Sequence, residues 1–141
     1  MTAPTTGGCL CGAVRYSIAG EVGPAGYCHC TDCRRVTGSA FNIAAPVRLA
    51  DFEITGDLGS YAHPAESGTI LTRYFCAACG SPIYGASPGH PDVVYVRAGT
   101  FDDPDVIRPD RQSWTRSRVD WAEIPATIST FSKGRNHALD A

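Results

Sequence analysis

Seven cysteines carry most of the chemistry open to this sequence: Cys9, Cys11, Cys28, Cys30, Cys33, Cys76 and Cys79. They fall into three tight groups, C-x-C, C-x-C-x-x-C and C-x-x-C. An odd number cannot be consumed by disulfide pairs. Residues Met1–Thr5 carry neither the positive start nor the apolar run of a secretory signal. A reducing, cytoplasmic setting is therefore the expectation, and there such groups read as metal sites rather than bridges.

The seven divide as four plus three. Residues i and i+2 of an extended strand share a face, so Cys9 and Cys11 are expected side by side on a strand. Cys76-Ala77-Ala78-Cys79-Gly80 reads as a tight knuckle, with Gly80 tolerating positive φ where the chain turns away. The two pairs, brought together from distant parts of the chain, form a closed set of four thiolates, the usual structural zinc site. Metal binding there would contribute folding energy, because the ligands meet only in the folded chain.

The other three, Cys28, Cys30 and Cys33, lie within six residues. Cys28 and Cys30 share an extended face, and Cys33 follows at the offset that returns to one face at a helix start. Thr31 is the expected N-cap, Asp32 lies in the first turn and Gly38 is the stop. Three ligands leave a tetrahedral position for substrate, the arrangement of a catalytic zinc. The alternative is a second structural site closed by His63, His90 or Asp32. Alternation turns His29 away from its neighbours, which implies a role outside the ligand set.

These ligands need elements to position them. Residues 12–18 alternate, with Val14, Tyr16 and Ile18 on one face, and further strands are predicted at 41–47, 52–55, 58–62, 69–75, 82–86, 93–98, 112–117 and 126–131. Only 31–37 reads as helix. The fold class is mostly β, several short antiparallel sheets with one short helix. Tyr16, Tyr27, Phe41, Phe52, Tyr74, Phe75, Phe101, Trp114 and Trp121 are mainly expected in the core, and Asp102-Asp103-Pro104 reads as a turn. The length of 141 residues suits one domain. With a formal charge of −2, nucleic acid is not an expected partner, and no apolar run is long enough for a membrane span.

Three stretches resemble one family. Gly8-Cys9-Leu10-Cys11-Gly12-Ala13-Val14-Arg15-Tyr16 is similar to the opening of the glutathione-dependent formaldehyde-activating (GFA) family, which also includes centromere protein V. Cys28-His29-Cys30-Thr31-Asp32-Cys33-Arg34-Arg35, with Gly38-Ser39-Ala40, resembles its second motif, and Tyr74-Phe75-Cys76-Ala77-Ala78-Cys79-Gly80-Ser81 its third. Ala98-Gly99-Thr100-Phe101-Asp102-Asp103-Pro104, Pro109 and Trp121 are similar to its closing pattern. The resemblance implies a zinc-clamped β-tent domain over residues 5–122, followed by a C-terminal strand and polar tail over 123–141. It assigns Cys9, Cys11, Cys76 and Cys79 to a structural zinc and Cys28, Cys30 and Cys33 to a catalytic one, two zinc ions per chain. The implied reaction joins glutathione and formaldehyde, and is classed in reverse as a carbon–sulfur lyase. The chain is shorter than the glutathione-using members and carries Gln112 where many relatives have His.

A free thiol has a pKa near 8.5, and coordination removes its proton. Three cysteinates around a zinc ion leave a net charge of −1, which weakens Lewis acidity and favours thiol delivery over carbonyl polarisation. The expected partners are a small thiol such as glutathione and an aldehyde, with a homodimer left open. Arg34 and Arg35 are candidates for meeting the thiol's carboxylates; the other reading makes them a solvated helix face. The rival functions are a non-catalytic thiol or aldehyde carrier, an interaction module, and a redox-labile zinc switch.

Overall fold

The computed structural model describes residues 3–134. Among them β1 (Thr5–Gly8), β2 (Arg15–Ile18) and β5 (Phe52–Thr55) form a three-stranded antiparallel sheet in the order β1-β2-β5. A larger sheet takes β3 (Gly26–Cys28), β4 (Asn42–Arg48), β6 (Leu58–Pro64), β7 (Ile70–Cys76), β8 (Pro82–Ala86), β9 (Val93–Arg97), β10 (Arg111–Ser113) and β11 (Ser129–Thr130). Its order is β11-β10-β3-β4-β9-β8-β7-β6. Pairing is antiparallel except at β10, which runs parallel to both β3 and β11. One α-helix, α1 (Thr31–Thr37), joins β3 to β4.

The core lies between the sheets. Alternation along β2 turns Tyr16 and Ile18 inward while Arg15 faces out. They meet Val47 of β4, Phe52 of β5, Ile83 of β8, Val94 and Val96 of β9, and Phe101. Burying a side chain such as Ile18 or Val96 completely contributes about 1.5–3 kcal/mol. Tyr16 packs against Phe52 at 5.4 Å and edge-on to Phe101 at 5.9 Å between ring centroids. Its hydroxyl lies 2.7 Å from Thr100 Oγ1. Burial, the larger influence, pushes the phenol up to about 12. Gly7 is required here: a Cβ would run into the Tyr16 ring and the Thr100 carbonyl, and Gly7 forms a β-bridge to Phe101.

Mostly β architecture with one short helix is what the patterning predicts. The differences have local causes. The first strand of the 12–18 pattern begins only at Arg15, because residues 9–12 form a turn closed by Gly12 N–H to Cys9 O at 3.3 Å, with Gly12 at φ 83°. Cys9 and Cys11 therefore sit on a turn, not on a strand. Beyond Ser113 the chain leaves the sheet at Trp114, held at φ 57°, and enters a 3-10 turn over Thr115–Ser117. The 126–131 strand contracts to Ser129–Thr130. Trp121 is not in the core but 74% exposed. Asp103 does cap a turn, its Oδ1 accepting from Asp105 N at 2.9 Å. Of the C-terminal strand and polar tail expected over 123–141, the part beyond residue 134 lies outside the described residues. No helix among the described residues is long and apolar enough to cross a membrane.

Candidate metal centres and the adjoining cavity

The cysteines gather as two groups. The sulfurs of Cys9, Cys11, Cys76 and Cys79 all lie within 4.8 Å of one another, and so do those of Cys28, Cys30 and Cys33. His29, Asp32, His63 and His90 belong to neither group.

The four-cysteine group joins two turns. One is the turn after β1, where Cys9 Sγ accepts from Val14 N at 3.2 Å. The other follows β7, where Cys76 Sγ accepts from Cys79 N at 3.4 Å and Gly80, at φ 79°, donates its N–H to Cys76 O at 2.9 Å. Ser81 stitches the turns together, since its Oγ accepts from Leu10 N at 3.1 Å and lies 3.2 Å from Cys79 Sγ. Sulfurs about 2.3 Å from a common zinc have tetrahedral edges of about 3.8 Å. Cys9 and Cys11 are separated by 3.6 Å, and Cys11 and Cys76 by 3.8 Å. The set fits a closed zinc site with four thiolate ligands. Hydrogen bonding from Ser81, side chain first, pulls Cys79 down to about 5 and the Val14 amide lowers Cys9, whereas Cys11, despite a backbone hydrogen bond from Ala13, is pushed up to about 11 by its pairing with Cys9.

The three-cysteine group is built on one short stretch. Cys28 ends β3. Cys30, not Thr31, is the N-cap of α1, with its sulfur accepting from Cys33 N at 3.2 Å. A thiol thus replaces the usual capping hydroxyl, which shifts the cap by one residue. Gly38 stops the helix at φ 65°, the expected left-handed cap. Hydrogen bonds from Cys28, then Cys33, hold Cys30 low, while Cys28 is pushed up by the same pairing and by burial.

Cys28 and Cys33 face a cavity of about 350 Å³. Its lining also includes Tyr27, Asn42, Arg73, Tyr95, Arg97 and Trp114. Arg34 and Arg35 are not in that lining; the first is half-buried and the second exposed. His90 lines the cavity, whereas His63 Nε2 accepts from Arg73 Nε at 2.7 Å. Sequence reading missed Arg73, Arg97 and Ser81 as site residues. The two arginines arrive from β7 and β9, and no local motif announces their meeting.

His29 is fully buried and points away from the sulfur group. Its Nε2 lies 2.8 Å from Gln112 Oε1, and Gln112 Nε2 donates to Thr130 Oγ1 at 3.1 Å. That chain assigns the ring proton to Nε2. Phe41 packs edge-on at 5.7 Å.

The model for the glutathione-dependent formaldehyde-activating enzymes matches residues 4–117. The chain belongs to that family. A Halomonas elongata protein, provisionally named a glutathione-dependent formaldehyde-activating enzyme, is 28% identical over 127 residues, covering 84% of this chain and 79% of that one. A Schizosaccharomyces pombe protein named as an uncharacterised lyase is 25% identical over 126 residues, covering 89% of each. A crystal structure of a Rhodobacter sphaeroides protein is similar, with TM-score 0.56 and 26% identity, over 71% of this chain and 92% of that one. Within this family frame the two cysteine groups differ in setting: one joins two turns distant in sequence, the other opens onto a cavity.

Proposed function

We propose that this GFA-family protein is a lyase-type enzyme acting on the adduct of a small thiol and an aldehyde, of the S-hydroxymethylglutathione kind. The observation that carries this reading is the three-cysteine group at the wall of a cavity large enough for a small peptide thiol. Cys28, Cys30 and Cys33 would hold a zinc ion whose chemistry, when bound, is to keep a substrate sulfur as thiolate. Cys9, Cys11, Cys76 and Cys79 would hold the second, structural ion.

In the cleavage direction the adduct's hydroxyl loses its proton to solvent, the oxygen lone pair forms the C=O bond, and the C–S electron pair leaves with sulfur. The protein's task is to bind both fragments in one place and to favour the thiolate. Buried Arg73 and Arg97 supply positive charge in the same cavity, and Tyr95 and Trp114 form cavity walls around the organic part. Holding the fragments together also makes addition effectively unimolecular.

Because thiols add to formaldehyde without help, the test must measure acceleration. NMR magnetisation transfer between glutathione and its hydroxymethyl adduct, with catalytic amounts of the zinc-loaded protein, should show exchange faster than in buffer. Tight binding with unaltered exchange would instead mark a thiol carrier and end the enzyme reading.

A further inference from the structure

Arg73 and Arg97 are unusual for buried arginines. They are only 9% and 7% exposed, and both line the cavity beside Cys28 and Cys33. Among the described residues neither has a carboxylate partner, whereas Arg111, in the same lining, is paired with Asp110 at 2.5 Å. Arg73 donates its Nε–H to His63 Nε2 at 2.7 Å. The Nε of Arg97 is buried with no hydrogen-bond partner among the described residues. Buried charges are ordinarily paired, and a guanidinium without an anion is costly.

The cysteine group supplies part of the missing anion. Both arginines share the cavity lining with Cys28 and Cys33. Burial and then Arg73 lower the Arg97 pKa, while the three cysteines oppose that effect. Three cysteinates with one Zn²⁺ carry a charge of −1 against the +2 of the arginines. That leaves one positive charge unmatched, next to a cavity, on groups whose planar forks suit carboxylate.

We infer that Arg73 and Arg97 form a carboxylate receptor inside the cavity and set the preference for an anionic thiol, the part the sequence suggested for Arg34 and Arg35. The inference rests on the thiol-binding reading of Cys28, Cys30 and Cys33 but makes a separate claim: the arginines recognise the ligand's anionic group whether or not its sulfur is free. A wall residue supplies a readout. Trp114 lines the cavity, is held at positive φ and carries Arg116 over its ring at 5.1 Å. The other tryptophan, Trp121, is exposed on the surface.

The experiment uses the zinc-loaded protein carrying Trp121→Phe, so that Trp114 alone reports. Its fluorescence is titrated with S-methylglutathione, which keeps both carboxylates but has no free thiol, and with glutathione diethyl ester, which keeps the thiol but loses both carboxylate charges. Arg97→Gln and Arg73→Gln should each weaken S-methylglutathione by at least about tenfold while changing the ester by less than about twofold. Arg97→Lys should recover part of the loss, since it restores charge without the fork. Equal weakening of both ligands, no weakening of S-methylglutathione, or no binding of it by the parent protein would overturn the receptor. Zinc content and melting temperature confirm the fold of each variant; if Arg97→Gln does not fold, Arg73→Gln and Arg97→Lys decide by the same comparison. A receptor that binds S-methylglutathione in a protein that fails to accelerate adduct exchange would leave this inference standing and remove the enzyme reading alone.

Discussion

Cys11 and Cys76 lie 65 positions apart in sequence, yet their sulfurs are 3.8 Å apart. That contact joins the turn after β1 in the small sheet to the turn after β7 in the large one. A metal linking them restrains a long loop of the unfolded chain. By analogy with a disulfide closing a similar loop, such a restraint would contribute about 4 kcal/mol, a large part of the roughly 5–15 kcal/mol that holds a domain folded. Cys76→Ser is therefore expected to aggregate or to melt far below the parent protein, with loss of one zinc ion. Metal analysis and calorimetry on the same preparation check it; a native melting temperature with two zinc ions would remove this cysteine from the ligand set.

The His29–Gln112 contact makes a different prediction. Gln112→Leu would leave a fully buried imidazole without its acceptor and Thr130 without its donor. The expected loss is about 1–3 kcal/mol in denaturant melts, and nitrogen NMR of the parent protein should place the ring proton on Nε2. A proton found on Nδ1, or unchanged stability in Gln112→Leu, would break the assigned chain.

Acid stability has a named contributor. Hydrogen bonding from Arg15, then from Thr6, holds Asp102 down at about 2, below its ordinary 3.8. A depressed carboxylate pKa stabilises the fold above the unfolded value and loses that effect as pH falls from about 4 toward 2. Asp102→Asn should thus melt below the parent protein at pH 6, and the difference should shrink steadily as pH falls from about 4 and through about 2. Comparing the two proteins at each pH cancels effects of acid on the cysteines. A gap that stays constant with pH would mean that the Asp102 charge is not its source.

Much of this molecule is legible from local pattern, and the gaps have physical reasons. The helix at 31–37 is marked by Gly38 and by cysteine spacing, but its cap is read one residue late because a cysteine sulfur does the work of a hydroxyl at Cys30. Cys9 and Cys11 are rightly grouped but placed on a strand, since a C-x-C pair brings its sulfurs together either by alternation or by a turn at Gly12. The strand β1 escapes notice because Thr5–Gly8 ends in two glycines, and β3 is foreseen only as the extended stretch at Cys28, since Gly26–Cys28 is stabilised by pairing with the distant β4 and β10. The cavity is the least visible feature. Arg73 and Arg97 read locally as polar positions in apolar strands, and only the order β9-β8-β7 brings them to one place.

The division of labour between the two cysteine groups is tested most directly by Cys33→Ser. Cys28, Cys30 and Cys33 close almost no chain loop, so a metal held by them would restrain little of the unfolded chain. The decisive measurement is the magnetisation-transfer rate between glutathione and its hydroxymethyl adduct in Cys33→Ser, with melting temperature and zinc content recorded on the same sample. The expected result is a folded protein that melts within a few degrees of the parent, has lost about one zinc ion, and exchanges no faster than buffer. Exchange at the parent rate, or melting as poor as that of Cys76→Ser, would contradict the assignment of the reaction to this group.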